Sequence, residues 1–122
     1  MGSPVVHFEI IGADPARLRA YYGELFGWEF QVGDALSEEV SRPGEYGFVE
    51  SGINGGVGGG AGYESRVLFY VGVPDVEAAL REAERLGGRR LMGPVGAADF
   101  SVGHFTDPEG HLIGVAGPKE AK

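Results

Sequence analysis

Residues 66–88 read RVLFYVGVPDVEAALREAERLGG, and residues 5–27 read VVHFEIIGADPARLRAYYGELFG. Both stretches follow one plan, and that plan decides the fold. Each opens on a short run of β-branched and aromatic residues, at 5–11 and 66–73, which predicts a strand. Each continues through an aspartate placed to cap a helix, Asp14 or Asp75, with Pro15 following Asp14 at a helix start where its missing N–H is not needed. An apolar stripe at helical spacing comes next: Leu18, Tyr21, Tyr22 and Leu25 in one stretch, Val76, Ala79, Leu80, Ala83 and Leu86 in the other. Glycine then stops the helix, Gly27 in the first case and Gly87-Gly88 in the second. The stripe of Tyr21, Tyr22, Leu25 and Phe26 is expected to be core.

Outward from these stretches the plan continues. Strands are expected at 28–32 and 46–50, with a polar, turn-like segment at 33–44. Residues 52–62 hold seven glycines in eleven positions, read as a weak strand and a flexible connection. The run is no phosphate loop, since neither G-x-G-x-x-G nor a following Lys-Ser or Lys-Thr is present. In the second half, 89–92, 100–106 and 111–116 read as strands. Asp107-Pro108-Glu109-Gly110 has the residues a type I turn prefers, and 117–122 reads as a frayed tail holding both lysines. Strand–helix–strand–strand–strand therefore occurs twice, about sixty residues apart. The expected fold class is α+β: two βαβββ modules in tandem, helices on one side of bent sheets that enclose a cleft. One domain is expected over 4–117, module one at about 4–62 and module two at about 63–117, with 118–122 as the tail.

Composition limits the functions open to the chain. Its 122 residues are 43% hydrophobic and 23% charged, enough for one domain with a real core. Glycine, at 23 residues, is well above the usual ~7%. Ten Lys and Arg against 18 Asp and Glu leave a net charge of −8. That speaks against nucleic acid, whose phosphates want a basic face, and suits a soluble protein with a neutral or cationic ligand. With no cysteine, disulfides, thiolate catalysis and cysteine-held metal sites are excluded. No apolar run is long enough for a membrane span. The start, Met1-Gly2-Ser3-Pro4, has neither a signal core nor a myristoylation motif, so a cytoplasmic location is expected.

Three motifs in order resemble the vicinal oxygen chelate superfamily: Val5-Val6-His7-Phe8-Glu9-Ile10; Tyr21-Tyr22 with Leu25-Phe26-Gly27-Trp28; and Phe105-Thr106-Asp107-Pro108-Glu109-Gly110-His111. That superfamily includes glyoxalase I, bleomycin-resistance proteins, fosfomycin-resistance enzymes and extradiol dioxygenases. The resemblance spans residues 5–116. It implies paired βαβββ modules and, in the enzymes, a divalent metal bound by the first and last strands of each module. Carried over, the ligand positions fall on His7, within 55–59, on Leu68 and on Gly114. Of these only His7 has a donor side chain, whereas a transition metal needs about three protein ligands. Glu9 shares His7's strand face, and the two make only a pair.

Strand alternation then defines the inward face. If His7 points in, so do Val5 and Glu9, while Val6, Phe8 and Ile10 pack on the helix. If Leu68 points in, so do Tyr70 and Gly72, with Phe69 and Val71 under the second helix. Leu112, Gly114 and Ala116 face in; Ile113 and Val115 face the helix. The candidate ligand-binding residues are His7, Glu9, Leu68, Tyr70, His104, Leu112 and Gly114. His7 reads either as a hydrogen-bonded histidine, paired with Glu9 or Tyr70, or as a ligand contact. Glu9 needs a partner if buried, and His7 is the expected one. The phase of the strand carrying His104 is open. His111, Asp107 and Glu109 read as turn residues, and Arg89-Arg90 as a solvated strand start.

The function expected is a metal-free small-molecule binding protein of the glyoxalase/bleomycin-resistance type, without a cofactor and with no nucleic-acid or membrane partner. The alternative is a metal-dependent lyase, isomerase or dioxygenase with an altered ligand set around His7 and Glu9. A third possibility is a metal-free enzyme with His7 or Glu9 as base. By analogy with the superfamily a homodimer is expected, with 52–62 as a hinge for module exchange.

Overall fold

A computed structural model describes residues 2–97 and 99–118. The elements run β1 (Val5–Gly12), α1 (Pro15–Phe26), β2 (Phe30–Gly33), β3 (Tyr46–Val49), β4 (Asn54–Gly59), β5 (Arg66–Gly72), α2 (Val76–Arg85), β6 (Arg89–Ala97), β7 (Phe100–Thr106) and β8 (Leu112–Pro118). This is βαβββ twice over, an α+β fold. The chain divides into two compact units, His7–Val67 and, among the described residues, 2–6 with 68–118. The divisions fall inside β1 and β5.

In the N-terminal unit the strand order is β2-β3-β4-β1. β1 and β4 run parallel, pairing His7 with Asn54, Glu9 with Gly56 and Ile11 with Gly58. β3 lies antiparallel to both β4 and β2. The glycine-rich segment is thus an interior strand of this unit. It forms one because its missing side chains admit neighbouring rings: a Cβ on Gly55 would overlap the Phe8 ring, and one on Gly56 the Tyr46 ring. Glycine weakens an isolated strand, and aromatic rings laid across its backbone restore the lost burial. Ile11, Val40, Tyr46, Val49 and Val57 are buried here.

Helix α1 begins as its sequence dictates. The Asp14 carboxylate accepts from the Arg17 N–H at 3.2 Å, and Pro15 occupies the first turn. It stops at Gly27, whose φ of 71° is left-handed and favours glycine. The apolar stripe behaves otherwise than expected. Tyr21, Leu25 and Phe26 are 60%, 56% and 57% exposed, so they are not core. The strand expected at 28–32 starts instead at Phe30. Trp28 precedes it and gathers rings around itself, with centroids of Phe26 at 5.2 Å, Phe8 at 5.3 Å and Tyr22 at 6.0 Å. This aromatic cluster closes the C-terminal end of α1 locally and leaves the outer ring faces in solvent. Val5 and Val6, expected inside the fold, are also exposed.

In the C-terminal unit the order is β5-β8-β7-β6. β5 and β8 are parallel, β7 antiparallel to β8 and to β6. Asp75 caps α2, accepting from the Ala78 N–H at 3.0 Å. Val76 and Leu80 are buried with Val115, and Val71, Val73, Ala79 and Phe105 pack against them. Two expectations fail at the edges of this core. Leu86 caps the helix C-terminus and is exposed, and Phe69 is exposed instead of lying under α2. β6 extends to Ala97 and β8 to Pro118, past the limits read from sequence; of the expected tail, residues 119–122 lie outside the described residues. The turn is as read, with the Asp107 carboxylate accepting from the Glu109 and His111 N–H groups at 2.9 and 3.0 Å. Arg90 is not merely solvated: its guanidinium grips Glu77 at 2.8 and 3.0 Å.

Candidate functional site

Strand alternation puts His7 and Glu9 on one face of β1, and the register with β4 puts Asn54 beside His7 and Gly56 beside Glu9. Tyr46, at the start of β3, reaches across that glycine space. Its hydroxyl donates to Glu9 Oε2 at 2.7 Å and lies 3.0 Å from His7 Nε2. The phenol has one proton. With that proton on the Glu9 side, its oxygen accepts from Nε2–H of His7, which fixes the tautomer. Burial pushes the His7 pKa below its ordinary 6.5, because desolvation disfavours the imidazolium. Glu9 is only 3% exposed, and a carboxylate so placed needs hydrogen bonds. Tyr46 supplies one of them. The sequence reading named His7 as Glu9's partner; the structure sets a phenol between the two.

His7 also borders a cavity of about 720 Å³ within this unit. Trp28, Phe30 and Phe48 give it aromatic walls, and Glu29, Gln31, Glu50 and Asn54 supply polar groups. It contains carboxylates and no Lys or Arg.

A second cluster is built in the C-terminal unit. Tyr70 on β5, Gly114 on β8, His104 on β7 and Met92 on β6 stand in one row across the strands. Tyr70 lies over the glycine, where a Cβ would overlap its ring. Its hydroxyl reaches His104 Nε2 at 2.6 Å. Both residues are buried, and this settles the phase of β7: His104 shares the face of Tyr70. Leu68 is buried two positions before Tyr70, on the same strand face. Leu112 is half-buried two positions before Gly114. His111 is exposed, with Nδ1 3.1 Å from Asp107 Oδ2, and belongs to the turn.

The expected site residues thus gather as His7 with Glu9 in one unit, and Tyr70 with His104 and Gly114 in the other. Tyr46 was missed. Its neighbour on the chain, Gly47, and the glycines of β4 were the available signal, since a strand of bare backbone asks for a ring to cover it.

The metal implied by the superfamily resemblance can be tested against these residues. Of the implied positions, Leu68 offers no donor, and 55–59 contributes only glycines and Val57. Gly114 has no side chain, and Tyr70 fills the space one would need; Tyr46 does the same at Gly56. Among the described residues no group of three or more His, Asp or Glu is placed to hold an ion. The donor set at the implied positions does not fit a divalent metal, which takes about three converging protein ligands.

Residues 7–116 match the glyoxalase-like domain family. Among solved structures, a hypothetical protein of Bacillus halodurans C-125 superposes with a TM-score of 0.72 at 14% identity, over 100% of this chain and 99% of that one. A methylmalonyl-CoA epimerase in complex with methylmalonyl-CoA and NH4+ gives 0.69 at 15% identity, over 94% of each chain. The methylmalonyl-CoA epimerase of Mycobacterium tuberculosis gives 0.67 at 16%, over 95% of this chain and 88% of that one. At such identities the likeness shows the fold alone; with the family match it fits the vicinal oxygen chelate superfamily. No curated protein matches the chain in sequence. Among the described residues, no helix is long and apolar enough to cross a membrane.

Proposed function

The chain belongs to the glyoxalase-like domain family, and from that premise we propose that it is a small-molecule binding protein of the bleomycin-resistance type, working without a metal ion. The observation that carries this reading is that Gly114, and Gly56 within 55–59, where the resemblance implies ligands, have the Tyr70 and Tyr46 rings in the space a side chain would need. The polar groups left for a ligand are imidazole, phenol and carboxylate: His7 and Glu9 in the N-terminal unit, Tyr70 and His104 in the C-terminal unit. Leu68 and Leu112 supply apolar side chains beside the latter pair, and Gly114 the backbone that the Tyr70 ring covers.

The carboxylates Glu29 and Glu50 with aromatic walls in the His7 cavity favour a neutral or cationic ligand, by charge and by cation–π attraction. They disfavour a polyanionic CoA ester of the kind named for the epimerase structures. Two copies would associate as a homodimer, in the cytoplasm.

Thermal unfolding with a panel of aromatic amines, before and after EDTA dialysis, tests the reading. Stabilisation by a bound amine follows from mass action. It is expected to survive EDTA and to be lost in His7→Ala. One equivalent of Zn2+, Ni2+ or Mn2+ binding to the wild type, lost in the same variant, would overturn it in favour of a metal-dependent lyase, isomerase or dioxygenase. Light scattering that reports a monomer at micromolar concentration would remove the dimer.

A further inference from the structure

A separate cavity of about 410 Å³ opens beside the first half of α1, wholly within the N-terminal unit. Leu18, Tyr21, Tyr22 and Val67 give it apolar walls, and Arg17 and Arg66 bring positive charge. We propose that it binds a small amphipathic carboxylate, its tail on the apolar wall and its head on the two guanidiniums.

Charge placement carries the argument. In a chain of net charge −8, four of the eight arginines have acidic partners close by: Arg19 meets Glu45, Arg81 meets Glu77, Arg85 meets Glu82, and Arg90 meets Glu77 and Glu84. Two of the other four, Arg17 and Arg66, stand together on this cavity. Arg66 donates to a neutral group, the Glu39 carbonyl at 3.3 Å, and its Nε is buried without a hydrogen-bond partner. Arg17 forms no ion pair among the described residues. Asp14 is the one carboxylate on the lining, and it is engaged as the α1 cap.

A buried donor left unmade is costly, and the Arg66 guanidinium lacks an acceptor at Nε. A carboxylate supplies that acceptor and the missing negative charge, and matches the planar guanidinium fork. The walls explain the tail. Tyr21 and Val67 are 60% and 70% exposed, and an aliphatic chain laid along them would remove both from water. The volume lies within the ~300–1,000 Å³ common to small-molecule sites. The inference is independent of the amine reading for the His7 cavity.

Isothermal titration with octanoate, octylammonium and octanol tests it. Octanoate is expected to bind one to one, octanol more weakly, octylammonium not at all. Arg66→Gln and Arg17→Gln should each weaken octanoate about tenfold or more, the measure of one charge-assisted hydrogen bond. His7→Gln should leave it unchanged, which separates this site from the other cavity. In 15N-labelled protein the Arg66 Nε–H resonance should shift on addition of octanoate. Should Arg66→Gln not fold, Arg17→Gln, on an exposed residue, carries the test. Failure of octanoate to bind at millimolar concentration, equal binding of octylammonium, or binding indifferent to Arg17→Gln would overturn the proposal.

Discussion

Helix α2 buries Val76 and Leu80 and carries Glu77, Arg81, Glu82 and Arg85 as ion pairs on its solvent side. Helix α1, in the same place in its own module, leaves Tyr21, Leu25 and Phe26 in solvent. Both are capped by aspartate and both show apolar residues at helical spacing. Spacing reports that a helix has an apolar face; whether that face is covered depends on what stands opposite. Beneath α2 are the bulky Val71, Phe105 and Val115. In the other module the aromatic residues at the end of α1 pack on Trp28 and on one another, so the energy of ring contact is gained without deep burial.

The largest effect that would break this contrast is at Leu80, which is fully buried. Leu80→Ala should cost about 2–5 kcal/mol in urea unfolding, and Leu25→Ala under about 1 kcal/mol. Equal losses would mean that the outer face of α1 is covered in solution.

The shared tyrosine-on-glycine device gives the next effect. Gly56→Ala and Gly114→Ala each press a methyl into a ring, for about 1–3 kcal/mol of overpacking. Combining Gly56→Ala with Tyr46→Ala should remove most of that penalty, so a cycle that came out additive would deny the contact.

Capping should be nearly equal in the two modules: Asp14→Ala and Asp75→Ala are each expected to cost about 1 kcal/mol. A clear inequality would show that one cap is supported by other contacts.

Smallest are the pH effects, and they separate the modules by window. Arg90 and Arg81 hold the Glu77 carboxyl at about 2, below its ordinary 4.5. Its folded pKa is depressed, so its contribution is complete above 4.5 and is lost as pH falls toward 2. His7, a base held neutral by burial, acts earlier: the unfolded chain takes up the proton first, so stability declines as pH drops below about 6.5. Glu77→Gln should flatten the lower part of a stability–pH curve and His7→Gln the upper part. One variant altering both windows would show that the two groups are coupled.

Much of the architecture was legible in the residues. Asp14, Pro15 and Gly27 delimit α1, Asp75 starts α2, and the β-branched and aromatic runs at 5–11 and 66–73 give β1 and β5, because these signals are local to a few neighbouring residues. The candidate site was legible only in halves. His7 and Glu9 could be placed on one face of a strand by period alone. Tyr46 could not, since it lies 37 and 39 residues away in the chain and reaches them through the pairing of β3 with β4 and of β4 with β1. His104 was likewise undecided until its register against Gly114 fixed its side.

By itself the sequence determined the order of elements, the starts of both helices, the absence of thiol chemistry and the want of donors at Leu68 and Gly114. These follow from short-range backbone preference and from which atoms a side chain possesses. Tertiary structure decided which rings lie over Gly56 and Gly114, which groups share a proton with His7, and that Tyr21, Leu25 and Phe26 stay wet. Those outcomes depend on strand register and on the shape of the opposing surface, which bring together atoms that no local pattern relates.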